Sequence, residues 1–185
     1  MTSPLRKQKF LDLFDKFLDL NRSGFVDPGD AGEWARANLK HAGVDTQSPE
    51  GQALAALVRS FWGGFIRELD VNKDGAVSKD ELLAGIERLS ENQPETLRMM
   101  AKDGAKVFMQ TLDKDRDGKI SRDEFVAFYS ANAPDAKSEG EKRFQLLDAN
   151  GSGFLTMEDV EQAWMEYFFS DDPNAPGNGI FGPRS

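Results

Sequence analysis

Two stretches, DVNKDGAVSKDE at residues 70–81 and DKDRDGKISRDE at residues 113–124, decide how this 185-residue chain is organised. Each has a carboxylate or amide at positions 1, 3 and 5, glycine at position 6, an apolar residue at position 8 and glutamate at position 12. Looser copies of the pattern occupy residues 19–30 and 148–159. Repeats of this kind indicate a modular architecture. We number the four segments loops I to IV in chain order.

Amphipathic helices are predicted on both sides of the loops. Apolar residues with helical spacing precede loop I, namely Phe10, Leu13, Phe14, Phe17 and Leu18. A longer run, from Leu54 to Leu69, precedes loop II, whereas the helix after loop I, around residues 34–39, is the least clearly marked. The apolar residue at position 8 suits a short antiparallel bridge between two loops. We therefore predict an all-α fold in which four helix–loop–helix units pair into two lobes of one compact domain, with β-bridges between paired loops.

The spacing of the loops also predicts where the lobes begin and end. We expect one lobe over residues 1–89 and a second over residues 95–169, divided by the polar turn SENQPE at 90–95. The interval around residues 41–50 has room for an extra helix or a long turn. Residues 170–185 are rich in proline and glycine, which predicts an extended, non-helical tail. Its apolar residues, Ile180 and Phe181, are expected to fill a remaining cleft.

The oxygen-bearing side chains of the loops predict metal sites. Ca²⁺ takes about six to eight oxygen ligands, and a twelve-residue loop supplies them from side chains at positions 1, 3 and 5, a backbone carbonyl at position 7 and a carboxylate at position 12. Glycine at position 6 allows the sharp turn that this wrapping requires. We predict the following ligands, loop by loop: Asp19, Asn21, Ser23, Phe25, Asp27 and Asp30; Asp70, Asn72, Asp74, Ala76 and Glu81; Asp113, Asp115, Asp117, Lys119 and Glu124; Asp148, Asn150, Ser152, Phe154 and Asp159.

The four sites are not expected to be equal. Loops I and IV have serine at position 5 and aspartate at position 12, which is one methylene shorter than glutamate. Two-oxygen chelation is then harder, and Mg²⁺ becomes more competitive because it prefers a smaller octahedral shell. From the number of carboxylates in each loop we predict the affinity order III, II, I, IV, with two to four Ca²⁺ ions bound.

Positions 9 and 12 also have the spacing of a capping box, in which a Ser or Thr at the N-cap pairs with a carboxylate three residues later. Ser78 and Glu81 are one such pair. Pro28, directly after Asp27, suits the first position of a helix. We predict that the position-12 carboxylate caps the exiting helix and leaves that role when metal binds.

Composition excludes several other functions. A net charge of −9 argues against nucleic-acid and anionic-membrane surfaces, which require a basic face. The absence of cysteine excludes disulfides and thiolate sites, and a single histidine, His41, excludes a two-histidine centre within one chain. No strand-end phosphate site or glycine-rich phosphate loop is apparent, so we expect no enzyme. The N-terminus shows no secretory signal and the longest apolar region, residues 53–66, is too short to span a bilayer; we expect a cytoplasmic monomer.

Loops II and III match the EF-hand calcium-loop pattern at every position. Four such units with unequal spacing resemble the sarcoplasmic calcium-binding proteins and their bacterial calerythrin-like relatives, and the ending DDPNAPGNGIFG at 171–182 is similar to that family's tail. The resemblance implies a two-lobed all-α fold with a shared aromatic core and a role as a calcium buffer. The aspartates at positions 30 and 159 depart from the glutamate of the pattern.

Two alternatives to a buffer stay open. A calcium sensor would expose a methionine-rich groove to a protein target, but 14 Phe outnumber 6 Met here and favour a closed core. The same superfamily resembles photoproteins and luciferin-binding proteins, which would imply a small apolar ligand between the lobes. One histidine is too few for the photoprotein chromophore site.

Overall fold

The computed structural model describes residues 2–41, 43–132 and 137–181. Helices account for most of this part of the chain, and each loop lies between an entering and an exiting helix. Their bounds are α1 Pro4–Leu13, which continues as a π-helical turn Phe14–Leu18, α2 Pro28–His41, α3 Pro49–Leu69, α4 Lys79–Asn92, α5 Pro94–Leu112, α6 Arg122–Asn132, α7 Lys137–Leu147 and α8 Met157–Phe169. The all-α prediction with four helix–loop–helix units is confirmed.

Short antiparallel strands join the loops in pairs, as the apolar position 8 predicts. Strand β1 (Phe25–Val26) of loop I pairs with β2 (Val77–Ser78) of loop II, with Val26 opposite Val77. Strand β3 (Ile120–Ser121) pairs with β4 (Phe154–Leu155), with Ile120 opposite Leu155. All four position-8 side chains are buried, so each bridge ties its loops to the core.

One continuous aromatic core underlies the helices. Its largest fully buried side chains include Phe10, Phe14, Phe125 and Tyr129. Trp164 of α8 stacks on Phe168, with ring centroids 6.0 Å apart. The apolar faces that the helical spacing identifies are the faces that the core buries. None of the helices in the described residues is long and apolar enough to cross a membrane.

Three local expectations need correction, and one choice that the sequence left open is decided. The turn expected over residues 90–95 is a single residue, Gln93, because α4 runs on to Asn92 and α5 starts at Pro94. Of the extra helix or long turn expected around residues 41–50, the structure has the turn in the described residues 43–48. The tail is not fully extended, since Pro176–Gly179 form a 3₁₀ turn. The helix entering loop I ends in a π-helical turn, where the amide of Asp19 donates to the carbonyl of Phe14 at 2.9 Å.

Candidate metal centres

The four loops share one backbone path. Position 6 has a positive φ in each loop, between +83° at Gly118 and +89° at Gly75. Position 4 is also left-handed in every loop, although it is Arg22, Lys73 and Arg116 in loops I to III and glycine only in loop IV. L-residues with side chains adopt this region at a cost. Sequence reasoning missed position 4, and Gly151 is the one local signal for it.

Position 1 is an inward-facing carboxylate in every loop. In loop III both oxygens of Asp113 accept backbone hydrogen bonds, from Asp117 at 3.1 Å and from Gly118 at 3.0 Å. The equivalent bonds are present in loops I and IV, and in loop II Asp70 accepts from Lys73 and Gly75. These N–H groups hold the carboxylate over the loop centre, so the first predicted ligand of each loop is positioned by the backbone.

Loop III has the densest cluster of acidic side chains. One carboxylate oxygen from each of Asp113, Asp115 and Asp117 lies within 4.8 Å of the other two. Burial raises the pKa of Asp113, and the charges of Glu124 and Asp117 add to that effect. Carboxylates held this close repel one another, and a divalent cation with a preference for oxygen ligands relieves the repulsion. The donor set therefore fits Ca²⁺.

The position-12 carboxylates cap the exiting helices, as predicted. One oxygen of Glu124 accepts from the amide of Ser121 at 2.8 Å, while the other accepts from the amide of Lys114 at 2.7 Å, at the front of the loop. Burial opposes the charged form of Glu124, but these hydrogen bonds outweigh it and lower its pKa. Glu81 spans loop II in the same way, between Ser78 and the amides of residues 71 and 72. These glutamates are charged and already span their loops.

The two aspartates at position 12 behave differently from each other. Asp30 is fully buried and reaches both ends of loop I, accepting from the amide of Asp27 at 2.9 Å and from that of Leu20 at 3.0 Å. Asp159 accepts hydrogen bonds from the amide and hydroxyl of Thr156, at 2.8 and 2.7 Å. The shorter side chain therefore closes loop I but serves loop IV as a cap.

Position 5 separates the outer loops from the middle pair. Ser23 donates its hydroxyl to the carbonyl of Phe25 at 3.1 Å, and Ser152 donates to that of Phe154 at 2.8 Å. These carbonyls are the predicted position-7 ligands, so an incoming ion competes with the serine for them. In loop III, by contrast, Asp117 accepts from the amide of Lys119 and leaves the carbonyl free of this competition.

One predicted ligand of loop I is held by the helix that follows the loop. The carboxylate of Asp27, at position 9 of loop I, accepts from the amide of Gly29 at 2.6 Å and from that of Asp30 at 3.4 Å, and so caps α2. At position 3, the side-chain oxygens of Asn21, Asn72 and Asn150 each accept from the amide of position 5 in their own loop. In loop II, Asp74 accepts from the amide of Ala76. Coordination of an ion by any of the predicted ligands stays a prediction. The side chain of His41 and residues 182–185 lie outside the described part of the chain.

Comparison with known families decides what these units are. An EF-hand domain pair matches residues 64–130, which contain loops II and III, and an EF-hand matches residues 141–163, which contain loop IV. This chain carries EF-hands. Loop I has the same left-handed positions, bridge and cap as the matched loops. The EF-hand matches support calcium binding as the function of the loops.

Two solved structures share the whole fold. A sarcoplasmic calcium-binding protein from amphioxus is 19% identical, with full coverage of both chains and a TM-score of 0.80. A calcium-binding protein from Streptomyces coelicolor is 23% identical over 90% of this chain and 99% of that one, with a TM-score of 0.74. The EF-hand units and this similarity confirm the predicted resemblance to the sarcoplasmic calcium-binding proteins at the level of the fold.

A curated relative shares only the EF-hand region. Calcium-dependent protein kinase 19 from Arabidopsis thaliana is 32% identical over 108 residues, which is 56% of this chain but 18% of the kinase. The chain thus spans less than a fifth of that relative. The similarity concerns calcium-binding modules and carries no evidence for kinase chemistry here.

Proposed function

We propose that this EF-hand protein is a calcium buffer, which chelates Ca²⁺ in its loops without presenting a new surface to a target. The observation that supports a buffer is the aromatic core, into which the tail inserts Phe181. Its ring lies 4.7 Å from that of Trp164 and 4.8 Å from that of Tyr167, and its side chain is 8% exposed. A cleft that the chain fills with its own side chain is not free for a target.

The loops are proposed to bind two to four Ca²⁺ ions in the affinity order III, II, I, IV. The serine-to-carbonyl bonds of loops I and IV, and the limited reach of Asp159, support weak outer sites and Mg²⁺ occupancy there. Twelve of the 32 acidic side chains occupy predicted ligand positions, and four ions would change the net charge from −9 to −1. Because metal-free carboxylates repel one another, we expect calcium binding to stabilise the fold strongly.

A sensor is the second candidate, because one apolar groove is open. It lies between α3 and α5, has a volume of about 420 Å³ and is lined in part by Leu57, Phe61, Phe65 and Met100. Met99 at its edge is 59% exposed. The charged side chains at the edge of the groove pair with one another, Lys106 with Asp103 at 3.0 Å and Arg67 with Glu68 at 3.9 Å.

A small apolar ligand is less well supported. The cavity beside Phe181 is lined by aromatic side chains that include Trp34, Trp62 and Trp164, but its volume is about 50 Å³. Sites for small organic ligands measure roughly 300–1,000 Å³. A luciferin-sized molecule would therefore have to displace the tail.

The proposal also includes the oligomeric state, the bounds of the lobes and the location of the protein. We propose a non-enzymatic monomer with lobes at residues 1–89 and 95–169 and a tail at 170–185. Cytosolic EF-hand buffers bind Ca²⁺ far more tightly than extracellular modules do, and the carboxylate-rich loop III suits the cytoplasm.

Dye fluorescence distinguishes the buffer from the sensor. A dye that brightens on apolar surfaces is added to the full chain, and Ca²⁺ is then titrated to saturation. The buffer predicts little change in fluorescence, whereas deletion of residues 171–185 predicts a large calcium-dependent rise. The variant Met99→Glu serves as the control for the α3–α5 groove. A strong rise in the full chain that Met99→Glu abolishes would replace the buffer by the sensor.

A further inference from the structure

The tail packs tightly against α8 before it reaches the core. The amide of Gly177 donates to Glu166 at 2.8 Å, and the side-chain amide of Asn178 donates to the carbonyl of Asp172, also at 2.8 Å. A Cβ atom on Gly177 would lie 2.2 Å from the carbonyl oxygen of Ala163. Only glycine allows this approach, so the path of the tail is fixed by the helix that leaves loop IV.

The same tail holds the helix that enters loop I. The fully buried ammonium of Lys9 donates to Asn178 at 3.0 Å, to the carbonyl of Ser170 at 2.9 Å and to that of Glu166 at 3.2 Å. The hydroxyl of Tyr167 donates in return to the carbonyl of Lys9. These bonds join α1 to the last turn of α8 and to the tail.

Phe181 makes the second connection. Its ring centroid lies 5.4 Å from that of Phe17, in the π-helical turn that ends directly before Asp19 of loop I. On the other side it contacts Trp164 and Tyr167 of α8, whose first turn carries Asp159 of loop IV. Phe181 therefore contacts both the helical turn that enters loop I and the helix that leaves loop IV.

We propose that the tail, residues 171–181, couples calcium binding at loop I to calcium binding at loop IV. The inference rests on the proposed function, because both loops must bind. When an ion draws Asp159 from its cap, α8 moves relative to loop IV, and the contacts of Phe181 and Asn178 transmit that movement to α1. Coupling of this kind is reciprocal, so each site changes the affinity of the other by the same factor.

The test isolates the two outer loops in the full-length chain. Glu81→Gln with Glu124→Gln silences loops II and III, and calorimetry then measures Ca²⁺ binding at loops I and IV. Silencing loop IV with Asp148→Ala is expected to change the affinity of loop I about 5-fold. In a Phe181→Ala background this factor should fall to about 1, within error. The proposal is overturned if the roughly 5-fold change in the affinity of loop I persists in the Phe181→Ala background. It is also overturned if silencing loop IV leaves the affinity of loop I unchanged when Phe181 is present.

Phe128→Ala is the matched control. Phe128 is also 8% exposed and also packs edge-to-face against Phe108, but it lies on α6. This variant should keep the roughly 5-fold factor, and its loss there would show that any core cavity uncouples the sites. If the protein with loops II and III silenced shows no calcium binding, loops I and IV are not calcium sites. The proposed function then fails for these two loops, and the coupling between them fails with it.

A second readout needs no metal. In a double-mutant cycle of Phe17→Ala and Phe181→Ala, followed by urea unfolding in chelator, the two changes should be non-additive by roughly 5-fold in the unfolding equilibrium constant. Phe17→Ala with Phe128→Ala gives the control cycle. Additive effects of Phe17→Ala and Phe181→Ala would remove the mechanical link and with it the proposal.

Discussion

Gly104, in the middle of α5, offers the sharpest test of the packing between α5 and α8. A Cβ atom there would lie 2.1 Å from Cζ3 and 2.5 Å from Cη2 of Trp164. Trp164 cannot retreat freely, because Phe181 lies 4.7 Å and Phe168 6.0 Å from its ring. Overpacking of this kind costs about 1–3 kcal/mol. Replacing a mid-helix glycine by alanine recovers about 0.5–1 kcal/mol of helix stability, so Gly104→Ala should lose up to about 2.5 kcal/mol net.

Gly63, in the middle of α3, is the matched control. A Cβ atom at Gly63 would meet no atom within 4 Å, so Gly63→Ala should raise the free energy of unfolding by about 0.5–1 kcal/mol. Urea unfolding followed by circular dichroism, in chelator and in saturating Ca²⁺, measures both variants. The difference between them, about 1–3 kcal/mol, reports the clash with Trp164 alone. Equal stability of the two variants would refute the close contact of α5 with α8.

Three further predictions concern the loops and the core. Ser78→Ala removes the N-cap of α4 and should lower the free energy of unfolding by about 1 kcal/mol in chelator. The loss should be smaller in Ca²⁺, because metal then holds Glu81. Equal losses in both conditions would contradict the prediction that Glu81 leaves its capping role when metal binds. Lys73→Gly relieves a φ of +62° and should raise stability by about 0.5–1 kcal/mol in urea unfolding, whereas a loss would show that the lysine side chain matters more than its backbone. Burial raises the pKa of Tyr129 to about 12. Its contribution to stability is therefore fully present below its unfolded pKa of about 10 and is lost as the pH rises through 12. Tyr129→Phe should flatten this dependence of the unfolding free energy on pH, and an unaltered pH profile would argue against burial of the Tyr129 hydroxyl.

The loops could be predicted from the sequence because their determinants are local. Glycine at position 6, the apolar residue at position 8 and the capping pair at positions 9 and 12 act within twelve residues, and the bridges and caps formed as expected. The left-handed position 4 was missed because Arg22, Lys73 and Arg116 give no sign of it. There the loop closure outweighs the local preference of the residue.

The features that join distant parts of the chain could be predicted only in part, since the burial of Ile180 and Phe181 was expected but the residues they meet were not. Nothing near Lys9 marks it as buried, since its hydrogen-bond partners lie 157 to 169 residues further along. The apolar spacing before loop I is that of an α-helix and does not reveal the π-helical turn at Phe14–Leu18. The proline and glycine of the tail predict irregular backbone, but Asn178 and Phe181 acquire their positions from α1 and α8. Tertiary contacts decide each of these features.

Calorimetric titration of the metal-free, full-length protein with Ca²⁺, with and without millimolar Mg²⁺, measures whether the four loops bind calcium and in which order. At least two tight sites that Mg²⁺ hardly affects are expected, assigned to loops III and II by their loss in Glu124→Gln and Glu81→Gln. Weaker sites that Mg²⁺ suppresses are also expected, assigned to loops I and IV. Absence of binding heat, or tight binding that survives both glutamate substitutions together, would contradict the assignment of calcium sites to these loops.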